Sequence, residues 1–161
     1  MTDRISEIKK RLNSNESETI ELTTDSEILL FQKEHNLILP RDLIAYFKTI
    51  NGGNNEYDSN LYKLYRFQDF KSIDTSLKNW NGIPDYSNIV NTLKEFENYY
   101  VFADYFFNMF TYAIKLNKFE ATGNEVLVIC GDEYKVIANN FSGFLDLYIN
   151  NSIELQFKED N

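Results

Sequence analysis

The stretch LPRDLIAYFKTINGG, residues 39–53, contains the start, the apolar face and the end of one helix. Pro40 suits the first helical position, where the N–H that proline lacks would have no partner in any case. Three apolar residues recur at i, i+4 and i+7 and predict a single buried face: Leu43, Phe47 and Ile50. Asn-Gly-Gly at 51–53 ends the helix, because glycine adopts the left-handed conformation without steric cost. The stretch therefore predicts a short docking helix that joins an N-terminal helical part to a sheet.

Helical periodicity also occurs before this stretch and near the end of the chain. Residues 1–24 contain one short amphipathic pattern and have the weakest claim to the core. A second helix begins at Asp25-Ser26-Glu27, with Ile28, Leu30 and Phe31 on its apolar side. Asn139-Asn140 caps a closing helix with a full core-facing stripe, made of Phe141, Phe144, Leu145, Tyr148 and Ile149.

The part between these helices is rich in predicted strands. Strands are predicted over 61–67, 99–103, 111–116, 126–130 and 134–138. The later strands are separated by short loops with no helix between them, which implies antiparallel pairing. The fold class is therefore α+β, with N-terminal helices packed on a central antiparallel sheet and a closing C-terminal helix. Residues 151–161 are expected to be a tail, with an edge strand as the alternative because Ile153, Leu155 and Phe157 alternate.

Length and composition indicate a single globular domain. The 161 residues fit one domain over 1–161, with a core at about 26–150, an extension at 1–24 and a tail at 151–161. Aromatic residues make up 16% of the chain, which argues against disorder. The net charge of −9 disfavours nucleic acid and anionic membranes as partners and is compatible with a basic protein partner. The same charge could also serve solubility alone.

The sequence offers little that could carry catalysis or hold a metal. His35 is the only histidine, and its position at a predicted helix end favours a capping or surface role. Cys130 is the only cysteine and lies in an apolar strand, where it behaves as a small hydrophobic residue. One histidine and one cysteine cannot form a zinc site without carboxylates in most positions. We therefore expect no catalytic residues, no cofactor and no metal. The single thiol and the polar residues 1–7 predict a cytoplasmic protein.

The order of several motifs resembles the SUKH superfamily, which includes fungal cell-wall regulators of the Smi/Knr type and many bacterial immunity proteins. The matching features are an apolar residue before Pro40, the aromatic Phe47, the helix end at 51–53, VFAD at 101–104, YAI at 112–114 and the helix over 141–148. The resemblance runs from about residue 26 to 149. In one place the chain departs from the family pattern: it has YFFNMF at 105–110, where a Gly-rich hairpin turn is expected.

The resemblance implies an immunity protein that binds a cognate bacterial toxin domain and blocks it without catalysis. Such toxins are often nucleases, which are basic because they hold phosphates. The predicted acidic contacts are Glu56, Asp58, Asp104, Asp132 and Glu133, with Tyr57 and Tyr105 as exposed aromatic anchors. Two alternatives stay open: a regulatory scaffold of the cell-wall-regulator kind, and a small hydrolase with an unrecognised carboxylate site. The oligomeric state does not follow from the sequence.

Overall fold

A computed structural model describes residues 2–12, 20–53, 55–120 and 123–157. The helices in these residues are α1 (Thr2–Leu12), α2 (Asp25–His35), α3 (Arg41–Thr49), α4 (Ile73–Ser76), α5 (Ile89–Thr92) and α6 (Phe141–Ile149). The strands are β1 (Tyr62–Leu64), β2 (Lys71–Ser72), β3 (Tyr99–Tyr105), β4 (Phe110–Lys115), β5 (Val126–Cys130) and β6 (Glu133–Ala138). Within the described ranges, no helix combines the length and apolar character that crossing a membrane would require.

The six strands form one antiparallel sheet, which confirms the predicted fold class. Its order is β1-β3-β4-β5-β6, and β2 pairs with the N-terminal half of β3 beside β1. Adjacent strands in the last third are hairpins, as the short loops between them predict. The closing helix α6 begins at the predicted cap, where the Asn140 side chain accepts a hydrogen bond from the Gly143 N–H at 2.7 Å.

Both faces of the sheet are buried, and each carries its own apolar cluster. Tyr112 and Ile114 of β4 pack in the larger cluster with α1, α2, α3 and α6, whereas Ala113 packs in a smaller one with α4 and α5. Successive residues of β4 thus face opposite sides of the sheet, as expected for the strand predicted over 111–116. The long helices therefore cover one face, and two single-turn helices with their connecting loops cover the other.

The Asn51-Gly52-Gly53 corner joins α3 to the sheet through tight backbone contacts. The buried Asn51 side chain donates to the Glu21 carbonyl at 2.7 Å and accepts from the Phe67 N–H at 2.7 Å. Gly52 has φ +75°, and a Cβ on it would lie 2.6–2.8 Å from backbone atoms of residues 64–66. Only glycine fits there, because both the left-handed backbone and the close approach exclude a side chain. The helix end predicted from sequence is confirmed. The same corner also contacts the backbone that leaves β1, at residues 64–66.

The two ends of the chain contribute more to the core than the sequence predicts. Ile8 of α1 and Leu155 have no exposed surface. Arg4 binds Asp146 of α6 through two hydrogen bonds of 2.5 and 3.0 Å, and Arg11 donates to the carbonyls of Tyr148 and Ile149 at the C-terminal end of α6. A guanidinium at that end satisfies carbonyls that have no partner within the helix. The alternative of an edge strand at 153–157 is wrong, because Ile153–Leu155 forms a 3-10 turn.

Helix α2 starts as predicted but exposes one of its expected core residues. Thr24 caps the helix, and the Glu27 carboxylate reaches back to the Thr24 N–H at 2.8 Å. Ile28 and Phe31 are buried, whereas Leu30 is 55% exposed. The sequence prediction was wrong for Leu30, which points away from the sheet.

Replacing Gly52 tests the corner. We expect Gly52→Ala to lower the free energy of unfolding by about 3 kcal/mol, because the new Cβ meets fixed backbone and the left-handed conformation becomes strained. Gly123→Ala is the control, since its Cβ would lie no nearer than 3.6 Å to another atom; its effect should stay within about 0.5 kcal/mol. Urea unfolding of both variants measures the difference. Equal stabilities would contradict the close approach at Gly52.

Buried tyrosines make the fold sensitive to alkali. Desolvation raises the pKa of four tyrosines that are at most 1% exposed: Tyr46, Tyr86, Tyr112 and Tyr148. Above pH about 10 the unfolded chain loses these protons while the folded chain keeps them, so stability falls as pH rises. Each tyrosine contributes a loss of about 1.4 kcal/mol per pH unit, so the four together contribute about 5.5 kcal/mol per pH unit.

We therefore expect cooperative unfolding a little above pH 10, with the phenolate absorbance of these tyrosines rising at the same pH as helical circular dichroism is lost. Phenolate absorbance that reached its full value while the circular dichroism stayed native would contradict this expectation.

Candidate functional site

One end of the sheet gathers four loops that lie far apart in sequence. Tyr105, the last residue of β3, pairs with Tyr62 on one side and Phe110 on the other, and Cys130 pairs with Glu133 across the β5–β6 turn. The β3–β4 turn, the β5–β6 turn and the loop before β1 therefore meet at the same end. The loop before α5 joins them, because the Tyr86 hydroxyl donates to the Asn108 carbonyl at 2.6 Å. We call residues 55–61, 82–86, 104–110 and 130–133 the hairpin end.

The hairpin end is acidic throughout. Its four segments contain six carboxylates and no lysine or arginine: Glu56, Asp58, Asp85, Asp104, Asp132 and Glu133. A basic side chain comes close at Lys63, whose Nζ lies 5.6 Å from the centroid of the Tyr57 ring. The sheet thus concentrates negative charge that is scattered along the sequence, and all seven predicted site residues lie at this end.

Asp104 is the buried centre of the hairpin end. It is only 2% exposed, although the sequence predicted an exposed contact. One carboxylate oxygen accepts from the Tyr57 hydroxyl at 2.6 Å and from the Asn108 N–H at 3.1 Å, and the other accepts from the Tyr65 hydroxyl at 2.7 Å. These bonds compensate for burying the charge. Asp104 thereby ties the loop before β1, the β3–β4 turn and the exit of β1 together.

The tyrosines around Asp104 stay protonated. Burial, together with the Asp104 carboxylate, raises the pKa of both Tyr57 and Tyr65. Each hydroxyl therefore remains a hydrogen-bond donor at neutral pH. The arrangement fixes geometry, and it offers no free base to a reactant.

Asp58 also has a structural role at the loop before β1. One oxygen accepts from the N–H groups of Asn60 and Tyr62 at 2.8 and 2.9 Å, and the other accepts from the Tyr148 hydroxyl at 2.5 Å. The side chain thus shapes the loop and attaches it to α6.

The other five predicted residues form the outer surface. Glu56, Asp132 and Glu133 are exposed. Tyr57 and Tyr105 are half-buried rather than fully exposed: Tyr57 packs on Phe107 with ring centroids 4.7 Å apart, and Tyr105 stacks on Phe110 at 5.6 Å. A partner-binding role for all seven residues stays a prediction.

Sequence reasoning missed the tip of the β3–β4 turn. Phe106, Phe107 and Met109 are 41%, 63% and 41% exposed at the surface. Residues 106, 107 and 108 all have positive φ, at +46°, +53° and +63°, although none is glycine. The signal in the sequence was the departure from a Gly-rich turn at 105–110, but aromatic residues carry no turn propensity that would have indicated an exposed tip.

The groups considered for catalysis have surroundings that do not activate them. Burial, and to a lesser extent Glu133, raises the pKa of the Cys130 thiol, which disfavours the nucleophilic thiolate. His35 ends α2 and packs against Phe31 with ring centroids 4.5 Å apart. In the part of the chain that the structure describes, no three His, Cys, Asp or Glu residues cluster so that they could hold a metal ion.

Carboxylates beside a surface cavity are also occupied by structural contacts. A cavity of about 330 Å³ at the start of α3 is lined in part by Asp42 and Glu120. Asp42 accepts from the Ser142 N–H and hydroxyl at 2.8 and 2.9 Å, and Glu120 pairs with Arg41 at 3.4 Å.

A carboxylate that acts as a general acid needs a raised pKa. Hydrogen bonds to Ser87 instead lower the pKa of Asp85, and Lys115 lowers that of Glu95.

Removing the Asp104 carboxylate tests its role at the hairpin end. We expect Asp104→Ala to lower the free energy of unfolding by about 3 kcal/mol, because three partly buried donors lose their acceptor. Hydrogen exchange at the Asn108 amide should accelerate more than exchange at the centre of β4. Asp132→Ala removes an exposed carboxylate at the same end and should change stability by less than about 0.5 kcal/mol. Unchanged Asn108 exchange in Asp104→Ala would contradict the role of this residue.

Comparison with known proteins supports the resemblance seen in the sequence. The model of the SMI1/KNR4 family (SUKH-1) matches residues 22–147, which run from just before α2 into α6 and include the Asn51-Gly52-Gly53 corner and the central strands. No curated protein sequence matches this chain. The family match covers most of the 161 residues, and the chain therefore belongs to the SMI1/KNR4 family (SUKH-1).

Proposed function

We propose that this protein is an immunity protein that binds a basic bacterial toxin domain through its hairpin end and blocks it without catalysis. The observation that carries the proposal is the acidity of this end: four loops contribute six carboxylates and no basic residue. Membership of the SMI1/KNR4 family fits an immunity role or a regulatory one. The charge asymmetry favours a partner with a basic face over nucleic acid or an anionic membrane, both of which it would repel.

A nuclease toxin would have the complementary surface. Its substrate groove carries lysine and arginine because it holds phosphates. An acidic protein surface that covers the groove would meet the same positive charges and would exclude the nucleic acid sterically. Complementary charge speeds the encounter and selects against other partners more than it adds affinity.

In this proposal the exposed carboxylates attract the partner, and internal hydrogen bonds hold the loops that carry them in place. Glu56, Asp132 and Glu133 face solvent and supply the attractive field. Asp104 and Asp58 hold the loops in place through their internal hydrogen bonds. Loops that are fixed before binding lose less conformational entropy in the complex. We expect the interaction in the cytoplasm, where the single thiol would stay reduced.

Charge reversal at the hairpin end tests the proposal. The partner to test is the purified product of the reading frame that adjoins the gene for this chain. The double variant Glu56→Lys, Glu133→Lys should lower the association rate with this partner by tenfold or more at low salt. The loss should shrink as salt is added, because ions screen exposed charges. Stopped-flow or biosensor kinetics over a salt series measures both effects.

A matched control carries the same change in net charge at the other end of the sheet. Glu34 lies in the last turn of α2, near the Ile38–Asn117 bridge, and Glu97 precedes β3, so both lie away from the hairpin end. Glu34→Lys, Glu97→Lys should slow association much less. Equal association rates for the two double variants at low salt would refute the acidic end as the contact surface. Binding to a non-toxin partner alone would favour the regulatory alternative.

A further inference from the structure

We propose that the tip of the β3–β4 turn is a preformed hydrophobic anchor that enters an apolar pocket on the basic face of the toxin. This inference rests on the proposed function and specifies which residues hold the complex together. We define the anchor as four side chains that are each 39–63% exposed: Leu61, Phe106, Phe107 and Met109. Leu61 belongs to the group because its carbonyl accepts from the Phe106 N–H at 2.8 Å.

The anchor consists of large apolar side chains that the protein's own core does not use. Phe107 is 63% exposed and is in contact with the Tyr57 ring on one side. Phe106 and Phe107 pack edge to face with ring centroids 5.7 Å apart, so they project as one unit. Aromatic side chains at the centre of an interface often supply most of the binding energy.

The backbone of the turn is held in a conformation that these residues disfavour. Phe106, Phe107 and Asn108 are consecutive left-handed residues, and only asparagine among them tolerates this conformation well. The turn persists because neighbouring groups fix it. Asp104 accepts from the Asn108 N–H, and the Tyr86 hydroxyl donates to the Asn108 carbonyl at 2.6 Å. Strain that is maintained by its surroundings is typical of functional sites.

The surroundings of the anchor specify the chemistry of its partner. The apolar tip is flanked by exposed Glu56, Asp132 and Glu133, with no lysine or arginine in the four segments. This matches an interface with an apolar centre and a charged rim, so the complementary surface is an apolar pocket bordered by lysine or arginine. A second copy of this chain would oppose the same acidic rim to itself, and an anionic membrane would repel it. A basic protein is the occupant that satisfies both features.

A substitution at Phe107 can separate binding from folding. Asparagine favours the left-handed conformation, so Phe107→Asn removes the exposed ring while it relieves the backbone. We expect its thermal stability to equal or exceed that of the wild type. We expect its Kd for the purified product of the adjoining reading frame to rise at least tenfold, mainly through faster dissociation and with little dependence on salt. Leu29→Ala is the control, because Leu29 is 64% exposed on α2. This helix lies away from the hairpin end, since its buried Phe31 packs on Tyr100 near the start of β3.

The outcomes distinguish the anchor from the proposed function. A tenfold loss for Phe107→Asn with no loss for Leu29→Ala supports the anchor. Unchanged affinity for Phe107→Asn, with slowed association for Glu56→Lys, Glu133→Lys, overturns the anchor and leaves the proposed function standing. A wild-type protein that does not bind the toxin domain overturns both. Sedimentation that shows wild-type dimers and Phe107→Asn monomers overturns the anchor, because it assigns the tip to contact between copies of the chain.

Discussion

The fold depends on the close approach between the Asn51-Gly52-Gly53 corner and the backbone that leaves β1. Gly52 lies so near residues 64–66 that no side chain fits, and the Asn51 side chain bonds the chain segments on both sides of it. Tyr46 adds a third link, because its buried hydroxyl donates to the Tyr65 carbonyl at 2.7 Å. These contacts set the position of α3 relative to the sheet, and so they also position the loop that follows the corner and the Tyr65 hydroxyl that reaches Asp104.

A second constraint acts at the hairpin end of the sheet. Asp104 is a buried carboxylate, and both of its oxygens accept hydrogen bonds from donors in three segments. A buried charge is costly unless such partners surround it, and the same partners then have few alternative positions. The hairpin end therefore has internal order that a set of solvated loops would lack. Its outer surface combines exposed carboxylates with an apolar tip.

Much of the fold could be predicted because its signals are local. The start of α2 at Asp25, the cap at Asn140, the glycines at 52–53 and the strand β4 each depend on residues close in sequence. The position of Asp104 could not be predicted in this way. A β-bulge between Val101 and Ala103 interrupts the alternation of β3, so Phe102 and Ala103 both face the helices. Simple alternation would put Asp104 on the same side as Phe102, whereas the bulge turns it toward Tyr65 on the other face.

The exposure of individual surface residues was also harder to predict, because it depends on contacts between distant parts of the chain. Leu30 and Phe107 are apolar, and burial is the default expectation for such residues. Exposure of Leu30 depends on which helix face meets the sheet, and exposure of Phe107 depends on a turn that its own residue type disfavours. The acidic residues could be identified from the sequence because residue type alone determines their charge. That they lie together at the hairpin end depends on the register of the strands.

The turn at 106–109 has a consequence for how recognition could diversify. Its side chains stand outside both apolar clusters, while the bonds that hold it run through Asp104, Tyr86 and main-chain groups. One set of residues thus fixes the shape of the turn, and a different set determines the chemistry of its surface. Under the proposed role, substitutions at the tip would therefore change what the hairpin end recognises and leave intact the hydrogen bonds that hold the turn.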